Sequence, residues 1–312
     1  MMHITLPLNP AALTFSGHET FILRSNWLKK AYDLLRTDPE LFYREDAFVR
    51  LGVGKNMAQS IRYWGRVCDV FRSEQRGVHR ATWLGDALFD DDTGWDPFLV
   101  TATSRWLLHY QIVSRPEAAF TWYYAFNLLR RGDFTTTQLT QQICDFTAKI
   151  GGKIPSLATI HRDIDCLLRC YLRPERAQLA VAAEDALHCL LHELDLIQQV
   201  PGQSTYRLVS APRVDLPDAL VAYAALQQAR ALGRATVAFN ELAYGERSPG
   251  RIFRLDEDAL LTRLLRMETV TNGQAVYAES GGIRQLSWRQ PDNKDLDRAL
   301  LDTAFAQEGR YA

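Results

Sequence analysis

The chain has 312 residues, 47% hydrophobic and 23% charged, with a formal net charge of −1. That length allows two or three domains and a substantial buried core, and the composition excludes disordered and collagen-like classes. No apolar run reaches the roughly 18 residues of a membrane span, the N-terminus lacks a secretory signal pattern, and five irregularly spaced cysteines do not make a disulfide framework. The expectation is a cytoplasmic protein in a reducing compartment, without a membrane partner.

Phe15 to about Phe89 carries the densest patterning. Trp27 to Arg36 has helical spacing, with Trp27, Leu28, Ala31, Leu34 and Leu35 toward one side. Glu45 to Leu51 reads as a short helix closed by Gly52 as a C-cap glycine. Gly54 to Val70 reads as a second helix, in which Met57, Ile61 and Trp64 recur at i, i+4 and i+7 as a buried stripe. Lys55, Asn56, Gln59, Arg62 and Arg66 are left largely on the other side. Those side-chain types reach phosphates and base edges. Arg72 to Trp83, with Arg72 and Arg76, reads as a basic hairpin. Helix, glycine turn, helix and hairpin is the order of a winged helix-turn-helix, whose second helix lies in a DNA groove while the wing touches phosphate. Between Arg50 and Arg80 seven residues are positive and two, Asp69 and Glu74, are negative. Such a face attracts a polyanion even on a near-neutral protein, because its field acts within about 8–10 Å; the plainer alternative is a solvated helix face.

Asp91 to Pro97 is a polar break. Asp90, Asp91, Asp92 and Asp96 have the ligand type for Mg²⁺, although an aspartate run in a polar loop is more often simply solvated. Phe98 to Arg131 is rich in aromatics (Trp106, Tyr110, Phe120, Trp122, Tyr123, Tyr124, Phe126), read as helical core in preference to a base-stacking platform. A second helix-turn-helix pattern follows. Thr135 caps an amphipathic helix, Gly151-Gly-Lys-Ile-Pro155 is the turn, and Ser156 caps a helix to Tyr171 whose first turns hold Thr159, His161 and Arg162 as further DNA contacts. Cys166, Cys170, His188, Cys189 and His192 have zinc-ligand chemistry. Their apolar helical setting favours buried cysteines instead, and no metal site is assigned. Glu184 to Leu208 predicts another helix and a strand-turn-strand. Asp256 to Trp288 repeats the idea, with turn signals at Asn272-Gly273 and Gly281-Gly282. The tail from Asp292 is a polar linker leading into a short helix.

The fold class expected is mainly α with small β-hairpins (α+β): tandem winged helix-turn-helix units around an aromatic-rich helical middle. The divisions fall at 1–90 (N-terminal winged-helix domain), 91–212 (helical middle with the second helix-turn-helix) and 213–312 (C-terminal winged-helix-like domain and tail).

Phe15-Ser-Gly-His-Glu-Thr-Phe21, Leu23-Arg24 and Trp27-Leu-Lys-Lys30, joined to Leu51-Gly-Val-Gly-Lys-Asn-Met57 and Ser60-Ile-Arg-Tyr-Trp64, resemble one bacterial family, first catalogued as a domain of unknown function. Its genes lie in phage-defence islands beside sulfurtransferase and phosphoadenosine-phosphosulfate-reductase-like genes. One branch is the SspB-type component of single-stranded DNA phosphorothioation, described as DNA-nicking. The likeness covers roughly the first 90 residues and extends more weakly toward residue 210. It implies DNA as partner, alongside sulfurtransferase- or reductase-like and ATPase components of the same defence operon, and DNA nicking. It carries over no catalytic residue.

A nickase needs activated water or a nucleophile, with Mg²⁺ or Mn²⁺ as the expected metal if the protein is a nuclease. The sharpest local candidates are His18 as base or ligand and Glu19 as its carboxylate partner. Adjacent strand residues point to opposite faces, which weakens that pair. The alternative is that Ser16 or His18 hydrogen-bonds the backbone and caps the following segment. Leu51-Gly-Val-Gly-Lys-Asn56 lacks the spacer and the hydroxyl residue of an ATP phosphate loop. Three functions compete: a DNA-nicking defence protein, a non-catalytic DNA-binding adaptor or regulator, and a protein-interaction scaffold.

Overall fold

The computed structural model of the protein describes residues 8–173 and 189–308. It is mainly helical, with three small antiparallel sheets. Helix α1 (Ser25–Thr37) buries Trp27, Leu28, Ala31, Tyr32 and Leu35, the stripe its spacing predicts. A short α2 (Ala47–Arg50) ends at Gly52, whose φ of +62° suits a residue without Cβ. Helix α3 (Lys55–Val67) stops earlier than the sequence predicts. Asp69, at φ +58°, turns the chain into strand β1 (Phe71–Gln75), which pairs with β2 (Val78–Ala81). Helix α4 (Trp83–Phe89) follows, capped by the Thr82 hydroxyl.

The middle is built on α5 (Ala102–Ser114), buried on nearly every side. The Asp96 carboxylate, itself buried, accepts the Val100 and Thr101 N–H groups and the Thr101 and Ser104 hydroxyls, so it shapes the entry to this helix. Helix α6 (Phe120–Tyr123) passes into a π-turn at Tyr124–Leu128. Every aromatic residue proposed as core or stacking platform is buried, from Trp106 to Phe126, so these rings are core. His109, fully buried, joins this layer to others. Its Nε2 donates to the Ile252 carbonyl at 2.8 Å and its Nδ1 accepts from the Tyr171 hydroxyl at 2.8 Å.

Strand β3 (Asp133–Phe134) precedes α7 (Thr136–Lys149) and α8 (Leu157–Tyr171), then β4 (Ile197–Gln199) and β5 (Tyr206–Leu208); the strands form a sheet of order β3-β5-β4. Thr135 and Gln138 cap α7 reciprocally. Of the helix predicted from Glu184, residues 184–188 lie outside the described residues, and Leu190–Leu194 is a 3₁₀ turn.

Helix α9 (Asp218–Leu232), β6 (Thr236–Ala238), α10 (Phe239–Tyr244), α11 (Pro249–Ile252), α12 (Glu257–Leu264) and α13 (Met267–Val270) lead to the hairpin of β7 (Ala275–Ser280) and β8 (Ile283–Trp288). The sheet order is β6-β8-β7. Of the two turn signals, only Gly281-Gly282 makes the hairpin, with φ of +58° and +77°. Asn272-Gly273 instead closes α13, its left-handed backbone letting the Gly273 N–H reach the Glu268 carbonyl at 2.7 Å. Helix α14 (Asp295–Glu308) is the last element among the described residues; Phe305 stacks on Trp95 at 4.7 Å. Buried apolar residues from Ile22 to Ala304 form one contiguous cluster. No helix among the described residues is long and apolar enough to cross a membrane.

Candidate nucleic-acid interface

Helix α3 buries Ala58, Ile61, Trp64 and Val67 and holds Met57 half-buried. Its period therefore leaves Lys55, Asn56, Gln59, Arg62 and Arg66 exposed on the other face. None of these five side chains has an ion-pair partner among the described residues. Lys55 lies 5.3 Å from the centre of the Phe48 ring. Beneath this face, burial and then the charges of Arg62 and Arg66 push the His79 imidazole down to about 4. A ring held neutral this way registers the positive field of the face.

The β1–β2 hairpin is less free. Arg72 forks onto the Asp69 carboxylate at 2.7 and 2.9 Å, and Arg80 meets Glu74 at 2.6 Å. Arg76, at the tip, is exposed and without such a partner among the described residues. On α8, Ser156 accepts the Thr159 N–H and its hydroxyl pairs with that of Thr159 at 2.9 Å. Thr159 is therefore half-buried and engaged, whereas His161 and Arg162 are exposed. The Arg162 Nε donates to the Ala158 carbonyl.

The segment from Phe15 to Phe21 joins the two helices. Asp163, on the buried side of α8, accepts the Ser16 N–H, the His18 Nε2–H and the Thr121 hydroxyl, each at 2.9 Å. The Thr20 N–H donates to His18 Nδ1 at 3.0 Å. A backbone N–H only donates, so Nδ1 is the lone-pair nitrogen and Nε2 carries the proton. The His18 ring is 1% exposed, packed edge-on to Tyr63 of α3 and to Trp122. In this conformation both ring nitrogens are engaged in hydrogen bonds within the fold. The carboxylate that His18 meets is Asp163; the half-buried Glu19 side chain has no ion pair among the described residues. Trp64 of α3 donates to the Phe21 carbonyl at 3.1 Å, and Arg169 of α8 to that of Thr20.

This segment is strained. Ser16, Gly17, Glu19 and Thr20 all have positive φ, between +48° and +100°. A Cβ at Gly17 would lie 2.8 Å from the Tyr63 ring, so the motif requires glycine there twice over, for conformation and for space. Strained backbone persists where the surroundings over-determine it; here three elements hold it. Asp163 was not singled out from sequence, but a signal existed. It falls on the apolar stripe Ile160, Ile164, Leu167, and a carboxylate in such a stripe requires partners.

Several members of the acidic and cysteine groups are engaged within the fold. Asp90 is met by Arg36 and Thr93, and Asp91 by Lys29. Cys166, Cys170 and Cys189 are buried thiols, with burial pushing Cys166 and Cys189 up. His192 donates to the Arg169 carbonyl, and His188 lies outside the described residues. No three His, Cys, Asp or Glu residues converge as metal ligands among the described residues.

The features together define a mainly helical protein in which the helix that carries an exposed basic face, α3, is tied to α8 through one buried histidine–aspartate clasp. A family model described as "Protein of unknown function (DUF4007)" matches residues 15–305, and the chain belongs to that family. It is also similar to two solved structures, described as "SspB crystal structure" and "Magnesium ion-bound SspB crystal structure". Each is 32% identical to it with a TM-score of 0.83, and the match covers 95% of this chain and 88% of the other. No curated protein matches. Among the described residues no three His, Cys, Asp or Glu side chains come together as a cage for the magnesium of that relative, and in the acidic loop Asp91 is paired with Lys29 and Asp90 with Arg36.

Proposed function

We propose that this protein is the DNA-engaging component of a bacterial DNA phosphorothioation system in anti-phage defence, acting in the cytoplasm beside sulfurtransferase- or reductase-like and ATPase partners. The observation that carries the reading is the face of α3, where Lys55, Arg62 and Arg66 stand exposed without an ion-pair partner among the described residues; the likeness to SspB sets the context. In this reading α1, α2, α3 and β1–β2 are a winged helix-turn-helix, with α3 in the groove and Arg76 at the wing tip on phosphate. β3, α7, α8 and β4–β5 form a second unit, presenting His161 and Arg162, and β6, α10–α13 and β7–β8 a third. They fall within 1–90, 91–212 and 213–312. Arg72 contributes only by exchanging Asp69 for phosphate, and Thr159 only by releasing Ser156.

The test is fluorescence anisotropy on labelled duplex across a salt series. Lys55→Ala/Arg62→Ala weakens binding and lowers the salt slope by about 1.8, two phosphate contacts' worth. Affinity and slope equal to wild type would remove α3 from the interface. A second reading, that the protein also nicks the DNA it holds so that partners insert sulfur, draws on the magnesium-bound relative. Supercoiled plasmid with Mg²⁺ or Mn²⁺ decides it: open circles support nicking, and their absence while binding persists leaves a non-catalytic adaptor.

A further inference from the structure

The turn into α8 has a feature that phosphate binding does not use. Ile154 is 48% exposed and Leu157, the first residue of the helix, 59%. Between them Pro155 biases Ile154 toward extended backbone, and the β-branch stiffens its side chain. Ser156 is committed to capping, so Ile154 and Leu157 give the start of α8 an apolar character. Isolated exposed apolar side chains are ordinary, but their setting here is not. From Lys149 to Arg162 there is no acidic residue, and Lys149, Lys153 and Arg162 are exposed, without ion pairs among the described residues. By contrast Val214, 96% exposed, stands beside Asp215. An exposed apolar pair flanked along the chain by cations suits a partner that is anionic outside and apolar within, which is a nucleic acid: phosphates without, stacked bases within.

We infer that Ile154 and Leu157 form a wedge that enters a DNA base stack, so that the protein prefers DNA whose stacking is already interrupted. The inference rests on the DNA-binding reading above. Apolar side chains inserted between base steps unstack them, and that cost is least where pairing is already lost. The full chain binds a duplex with a central two-base mismatch about tenfold tighter than the perfect duplex, about 1.4 kcal/mol, and a 2-aminopurine beside the mismatch brightens on binding. Ile154→Ser/Leu157→Ser, both surface changes, abolishes the preference and the brightening and leaves perfect-duplex affinity within about twofold. Equal wild-type affinity for both duplexes, or a preference that survives the double substitution, overturns the wedge and leaves DNA binding standing. Binding to neither duplex overturns the DNA-binding reading itself.

Discussion

His109 makes a quantitative test of how the layers are held together. The ring is fully buried, and burial, its largest influence, pushes it down to about 3 from the ordinary value near 6.5. In the unfolded chain the same ring takes up a proton as pH falls through about 6.5. The native ring does not until about pH 3, so the unfolded state gains protons first and stability falls with falling pH. At about 1.36 kcal/mol per unit, this residue costs the fold about 2 kcal/mol at pH 5 relative to pH 7, and roughly 4–5 kcal/mol by pH 3. His109→Gln removes the titration. Its amide can still donate to the Ile252 carbonyl but loses the Tyr171 hydroxyl, a cost of about 1–2 kcal/mol at pH 7. Urea unfolding followed by tryptophan fluorescence at pH 7, 6 and 5 should then give stability curves that converge toward pH 5. Parallel curves, with the variant's deficit the same at every pH, would refute the assignment of a buried, neutral His109.

Gly17→Ala meets the Tyr63 ring and a backbone at φ +100°, so it should lose about 2–3 kcal/mol, measured as a lower urea midpoint at unchanged m-value; an unchanged midpoint would mean the segment is not packed on α3. Asp163→Ala leaves the Ser16 N–H, the His18 N–H and the Thr121 hydroxyl unsatisfied in the interior and should cost about 3–5 kcal/mol. In Asp163→Asn the side-chain oxygen still accepts, and about half of that loss should return. Equal losses in the two variants would show that the carboxylate's contacts are not what holds the clasp.

The parts legible in the sequence are those coded locally. The stripe of α3 and the Gly52 turn place Lys55, Asn56, Gln59, Arg62 and Arg66 outside because a 3.6-residue period leaves them nowhere else. The Asn272-Gly273 pair was ambiguous for a physical reason: left-handed backbone serves a helix C-cap as well as a hairpin, and only the length of α13 decides between them. The partner of His18 was not legible from its neighbours, since Glu19 is adjacent in sequence while Asp163 is 145 positions away. Arg72 and Thr159 have the right chemistry for phosphate, but local partners, Asp69 and Ser156, already claim them.

The separation of 145 positions between His18 and Asp163 also orders events during synthesis. At about 5–20 residues per second, the ribosome needs about 7–30 s after making the histidine before the aspartate exists. Through that interval α1 and α3 can coil and pack locally, but Phe15 to Phe21 has no carboxylate to organise its positive-φ backbone. The nascent N-terminal region can thus hold formed helices while the Phe15–Phe21 segment stays unfastened until α8 emerges.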